Sequence, residues 1–396
     1  MADSDPIIEE DLEEALDDLD EKRNWADGAA LWSTDWTAET LLGQLTRDNI
    51  DLDPAFQRRS AWRNTKQSLF IESLILGLPI PQLILADEKG KKGSYIVIDG
   101  KQRLLAIRRF CSLDPNDDFA PLKLSGLKEL KHLNGKTYRD LIDDPDLADD
   151  RAAFENSSIR TIVIRNWQNE EYLYEVFLRI NTGSVQLSPQ ELRQALHPGP
   201  FSTFVGEASA ESDELKRTLN LKEPDFRMRD AEILLRYISY RNFISDYSGN
   251  LKHFLDETTK QLNAEWAERK ETIEDQVSEM EKALAFTRHI FGEKKYLRKW
   301  NGEEFEGRKN RAVFDIMLHY FSHENVRVAL AGKGSEIVEA FKNLCAENDD
   351  FRASIETTTK SIDSNRTRFN AWGDAITAIS GVDVSEWKYP EETGVD

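Results

Sequence analysis

The sequence predicts an α+β amino-terminal domain followed by an all-helical carboxy-terminal domain. Up to about residue 200, short β-branched runs alternate with helical segments. From about residue 201, apolar residues recur at helical spacing almost without a break. With 396 residues and an apolar fraction of 39%, the chain is long enough to build two cores.

Residues 1–24 are predicted to be an acidic, solvated tail. They hold much of the excess behind a formal net charge of −21. That charge argues against non-specific binding to DNA or an anionic membrane by the whole surface, but not against a local basic groove. The first folded domain is placed at 25–205. Asp51-Leu52-Asp53-Pro54 is extended, because Pro54 forbids a helix interior. A helix capped by Asn64 or Thr65 runs to about Leu76 and stops at Gly77. Strands follow at about Gln82–Ala86 and Tyr95–Asp99, with a lysine- and glycine-rich turn between them, and the second runs into a helix at 101–111. A polar insert of low periodicity spans about 112–150, and Ile159–Ile164 is a further strand. Glu170–Ile180 is a helix interrupted by Asn181-Thr182-Gly183. Ser188, Pro189 and Glu191 form a complete capping box at the start of the next helix, which His197-Pro198-Gly199-Pro200 ends.

A boundary near 201–225 introduces the helical domain, 206–396. Ile233, Leu234, Tyr237 and Ile238 give one apolar face, and Leu251, Phe254, Leu255, Leu262 and Trp266 another. Ile273, Val277, Met280 and Leu284 form a stripe, and Ala312–Phe321 and Ile337–Leu344 are further helices. No apolar run is long enough for a transmembrane helix, and the acidic start is not that of a signal peptide, so a cytoplasmic location is expected. Two cysteines, Cys111 and Cys345, suit a reducing compartment and exclude a disulfide framework.

The run Asp99-Gly100-Lys101-Gln102-Arg103 concentrates an acid, two cations and an amide at a strand–turn–helix junction. Such a junction presents unpaired N–H groups and a positive dipole end to an anion. Taken alone, Asp-Gly is also a common turn pair, and the cations would be ordinary solvated side chains. The junction has company. Phe56-Gln57-Arg58, Trp62, Glu72-Ser73-Leu74 and Pro79-Ile80-Pro81 lie upstream, and Asn181-Thr182-Gly183 lies downstream. In this order and spacing, residues of about 45 to 200 resemble the family whose signature is a DGQQR run. It comprises the N-terminal domain of GmrSD-type, modification-dependent restriction enzymes and the SspE-like proteins of DNA phosphorothioation defence. The region from Arg229-Asp230-Ala231-Glu232 is similar to the tail of stand-alone members. Lys101 replaces the first glutamine of the signature.

The resemblance implies a ParB/sulfiredoxin-like fold and an NTPase whose nucleotide site is Gly100–Arg103 facing Asn181–Gly183. Side-chain chemistry then suggests roles. Arg103 and Lys101 would neutralise phosphate charge, and the N–H groups of Gly100 and Lys101 would cradle a phosphate. Asp99 would hold Mg²⁺ through its water shell or orient a hydrolytic water. Gln102 would position that water or bond the backbone. Gln57 and Arg58 would close the site from the upstream loop. Lys101 strengthens phosphate binding or disturbs the water geometry, which leaves turnover open. No P-loop sequence occurs.

The relatives that cleave DNA add an HNH-type nuclease, and none is found here. The histidines are His132, His197, His253, His289, His319 and His323; the i, i+4 pair His319/His323 lacks a zinc motif and is taken as helix-surface histidines. A basic stretch, with Lys295, Arg298, Lys299, Arg308, Lys309 and Arg311 interleaved with Tyr296 and Trp300, suits DNA contact as well as it suits a solvated loop. Three functions follow as expectations. The first is a nucleotide-dependent enzyme of restriction-like phage defence, acting on DNA or through a partner nuclease. The second is a non-catalytic ParB-like module that senses modified DNA. The third is a metal-dependent DNA nuclease.

Overall fold

The computed structural model describes residues 29–50, 52, 62–114, 117–170, 172–173, 176, 188–356 and 359–390. The acidic tail therefore lies outside the described residues, as do Gln57, Arg58, Asn181, Thr182 and Gly183. The chain is α+β, and its contacts divide it into two compact units between Leu196 and His197.

The first unit is built on a four-stranded mixed sheet of β1 (Ala30–Thr37), β2 (Leu83–Asp87), β3 (Tyr95–Asp99) and β4 (Ser158–Arg165), in the order β1-β4-β2-β3. β1 pairs with β4 and β2 with β3 antiparallel, while β2 and β4 run parallel. The period-2 alternation of strand side chains divides the core in two. Leu83, Leu85, Val97 and Ile159 face the larger layer. Ile84, Ala86, Ile98 and Ile164 face the smaller one, with Leu173 and Leu192. The larger layer holds α1 (Ala38–Thr46), α2 (Asn64–Ile75), α3 (Lys101–Phe110), α4 (Tyr138–Asp143) and α5 (Ala148–Glu155). Leu104, Leu105, Ala106, Ile107 and Phe110 of α3 are fully buried. Each such large aliphatic or aromatic side chain contributes about 1.5–3 kcal/mol.

Three local features differ from expectation. The N-cap of α2 is Arg63, with no side-chain cap bond, because Asn64 is already inside the helix and accepts from Arg109 Nη1 at 3.0 Å. The polar insert carries α4 and α5, the former started by a capping box in which Thr137 and Asp140 exchange bonds. β1 is an edge strand with no strong sequence signal, and its Leu31 and Trp32 are exposed. The predicted capping box is present: Ser188 N–H donates to Glu191 Oε2 at 2.7 Å and Glu191 N–H to Ser188 Oγ at 3.1 Å, opening α6 (Pro189–Leu196). Glu170, Tyr172, Leu173 and Val176 are helical.

The second unit consists of helices: α7 (Pro200–Glu211), α8 (Asp213–Thr218), α9 (Arg229–Phe243), α10 (Leu251–Ala264), α11 (Trp266–Phe291), α12 (Arg311–Phe321), α13 (Glu324–Ala329), α14 (Gly334–Glu347), α15 (Asp349–Glu356) and α16 (Ile362–Ser380). α9 and α12 run through its centre, with nearly every residue buried. Among the described residues, no helix is long and apolar enough to cross a membrane.

Candidate functional site

The sequence of β3, an edge strand of the sheet, delivers Asp99 to the strand's end beside β2. Ile84 pairs with Asp99 but Leu85 pairs with Val97, so Ile98 is an extra residue on β3. Such a bulge bends its strand and re-aims the side chains beside it. The chain then turns through Gly100 at φ +104° and enters α3 with no side-chain cap bond and no acidic residue in the first turn. Only glycine fits here. The dihedral disfavours any L side chain, and a Cβ would run into Leu83 Cδ2 and lie 3.1 Å from Arg103 Nη2. No side chain caps this first turn, and the positive end of the α3 dipole lies at it.

Arg103 folds back over this turn. Its Nη2 donates to Asp99 Oδ2 at 2.7 Å and to Gln82 O at 3.1 Å. The residue is 5% exposed, and its Nε has no hydrogen-bond partner. A buried, unused guanidinium N–H costs desolvation energy unless something accepts it. Asp99 and Arg103 thus form an ion pair across the turn, the carboxylate remaining partly open to solvent. Lys101 and Gln102 are half-buried on the same turn.

Gln102 Oε1 accepts the Trp62 N–H at 3.2 Å, and Trp62 O accepts from Gln67 Nε2 at 3.0 Å. The α3 turn is therefore tied to the end of the segment that carries Gln57 and Arg58. On the other side α6 packs against β3, with Leu192 beside Ile98. Asp99, Gly100, Lys101, Gln102 and Arg103 are brought together. Among the described residues, no group of three His, Cys, Asp or Glu side chains is placed to hold a metal.

Residues 39–198 match the model of the GmrSD restriction endonuclease, N-terminal domain. This segment is a GmrSD-type N-terminal domain. No curated protein and no solved structure matches the chain. The GmrSD-type domain begins within α1, closes just beyond α6 and contains the whole Asp99–Arg103 turn.

One residue of the GmrSD-type domain has a role that its sequence does not announce. Glu72, 5% exposed within α2, accepts backbone N–H groups from Lys128 at 3.2 Å, Glu129 at 2.8 Å and Leu130 at 2.9 Å. Burial alone would raise its pKa, but the three donors and the nearby Lys128 charge outweigh it and hold the carboxyl below its ordinary range. Glu72 clamps the 128–130 loop to the helix leading away from Trp62. Its signals in the sequence are a charged residue on the buried face of α2 and its place in the Glu72-Ser73-Leu74 piece of the family pattern, and neither says that it accepts from a loop.

The six cations proposed for DNA lie in the helical unit and are unevenly placed. Lys295 and Arg308 are exposed. Lys299 is buried, with Glu306 Oε2 3.4 Å away, and Arg311 Nη2 lies 3.4 Å from Glu232 Oε2. Arg298 Nη1 donates to Glu306 O at 3.0 Å, and Lys309 is 6% exposed with its Nζ 4.6 Å from the Tyr296 ring centre. His319 and His323 are buried rather than on a helix surface: His319 lies in α12, which is apolar on all sides, and His323 lies just beyond it as the N-cap residue of α13, stacked on Trp387. His319 Nε2 lies 2.6 Å from Trp387 O, and burial and the Arg241 charge bring its pKa down to about 4.

Proposed function

We propose that the chain is a restriction-system protein whose GmrSD-type domain binds a nucleoside triphosphate at the Asp99–Arg103 turn. The observation that supports this best is the uncapped start of α3 at a left-handed glycine, with the unused Nε of the buried Arg103 beside it. N–H groups at the helix start and an idle guanidinium donor are what a phosphate needs. Lys101 adds a second charge. Gln57 and Arg58 would close the site: Arg58 lies four positions before Trp62, which Gln102 holds, and that is at most about 14 Å of chain. Asn181, Thr182 and Gly183 would close it from the other side, since the next helix packs on β3.

The residues fit a nucleotide phosphate. Mg²⁺, which would neutralise phosphate charge, would be held mainly by the phosphates with Asp99 as the carboxylate at the turn. Asp99 is already paired with Arg103, so Arg103 would have to exchange carboxylate for phosphate when a nucleotide arrives. That pairing favours a second reading, in which the module binds nucleotide without turning it over and serves as a sensor. In either case DNA would be the object of the system, with cleavage left to a partner nuclease.

One assay set decides: NTP hydrolysis and plasmid nicking, with and without DNA, for the wild type and Asp99→Ala. Hydrolysis lost in the variant supports the enzyme, and binding without turnover supports the sensor. Metal-dependent nicking without nucleotide would overturn both.

A further inference from the structure

We propose that Lys309 and Arg298 form a phosphate-binding site in the helical unit, taking a DNA phosphodiester or a free phosphate anion. The site stands on local geometry and does not rest on the nucleotide reading of the Asp99 turn.

The segment Glu293–Arg311 holds seven cations and four carboxylates, against a chain of net charge −21. Two of those cations are spent inside the fold, Lys299 on Glu306 and Arg311 on Glu232. Among the described residues, Lys309 and Arg298 form no ion pair with a carboxylate. Lys309 is more than nine-tenths buried, its Nζ lies 4.6 Å from the Tyr296 ring centre, and among the described residues no carboxylate or hydrogen-bond acceptor meets its ammonium. Arg298 spends Nη1 on the Glu306 carbonyl, and its buried Nε has no partner. The backbone sets the two side by side, because Asn310 N–H donates to Leu297 O at 2.8 Å, one residue removed from each.

Two neighbouring like charges, one buried and one half-buried, are costly without a counter-charge. Burial and the Arg298 charge bring the Lys309 pKa down to about 8, with Glu293 opposing them only partly. The backbone is strained at the same place: Leu297, a bulky residue, sits at φ +60°. Strain, an idle guanidinium donor and a largely buried lysine without a counter-charge thus coincide within one loop. A tetrahedral anion accepting from Nζ and Nε relieves the two electrostatic costs together. The exposed Lys294, Lys295 and Arg308 border the loop and extend the positive field towards solvent.

The test uses the full chain, with Lys309→Met to keep the buried stem and remove the charge, Arg298→Gln as a second variant, and Lys270→Met as a charge control on exposed α11. Binding of a fluorescent DNA duplex is followed by anisotropy across a salt series. The melting midpoint is read with and without inorganic phosphate. With a DNA phosphodiester as ligand, Lys309→Met weakens duplex binding about tenfold or more and lowers the salt slope by about one, whereas Lys270→Met does not. Phosphate raises the melting midpoint of the wild type and not of Lys309→Met. If the phosphate effect is lost while DNA binding is unchanged, the ligand is a free anion. If neither reading differs from wild type, the proposal is overturned; should Lys309→Met fail to fold, the same readings on Arg298→Gln decide.

Discussion

Substituting Gly100 by alanine probes the backbone on which the candidate site depends. Two costs combine. At φ +104° an L residue sits in a disfavoured region, costing about 1–2 kcal/mol. The new methyl also runs into Leu83 Cδ2, and Leu83 is a 1% exposed core residue that cannot simply swing away. Overpacking of this kind costs about 1–3 kcal/mol. Gly100→Ala should therefore destabilise the GmrSD-type domain by about 2–5 kcal/mol in urea titration. A double-mutant cycle separates the parts. Leu83→Ala alone leaves a cavity and costs about 2–5 kcal/mol, but in the Gly100→Ala background it also removes the clash. The pair should fall short of additivity by about 1–3 kcal/mol. A Gly100→Ala cost below about 0.5 kcal/mol, within the range of an ordinary surface substitution, would refute the geometry of the turn. A strictly additive cycle would refute the contact with Leu83.

Glu72 makes stability depend on pH. Its folded pKa lies below the ordinary 4.5, so its stabilisation is fully present above that value and is lost as pH falls through the depressed folded pKa. Glu72→Ala, which deprives three backbone N–H groups of their acceptor, should cost about 1–3 kcal/mol at neutral pH and flatten the acid limb of the stability curve. In the helical unit, Asp315 lies 2.5 Å from Arg236 Nη2 and 3.6 Å from Arg368 Nη2, all three side chains being at most 3% exposed. Asp315→Asn removes the charge the two guanidiniums share and should cost about 3–5 kcal/mol by chemical denaturation.

Much of this architecture was legible because local chemistry decides it. β2, β3 and β4 are short apolar runs, β-branched in β3 and β4, and the Ser188–Glu191 capping box names its own helix start. β1 was not legible: Ala30–Thr37 pairs along one edge of the sheet and leaves Leu31 and Trp32 exposed, so no alternation marks it. Asn64 looked like a cap because asparagine favours that position, but tertiary structure uses it for Arg109. The turn at Asp99–Arg103 was readable as a strand–helix junction, whereas the inward fold of Arg103 onto Asp99 and Gln82 depends on packing. His319 of α12 illustrates a signal that was present. Phe314, Ile316, Met317, Leu318, Tyr320 and Phe321 surround it in sequence, and a helix apolar on every side carries its polar residues inside. The basic stretch from Lys295 to Arg311 offered no such guide, since which cation meets Glu232 or Glu306 is decided by residues far apart or across a loop.

The central claim is that the first turn of α3 binds nucleotide phosphate, and equilibrium binding of a fluorescent NTP to the wild type and to Lys101→Glu tests it most directly. Lys101 lies at the first helical position and is half-buried, so a melting scan can verify that the fold is kept. Reversing a charge beside a bound phosphate should lower nucleotide affinity about tenfold or more, with the melting midpoint unchanged. Equal affinity in the two folded proteins, or no nucleotide binding by the wild type, would contradict the account.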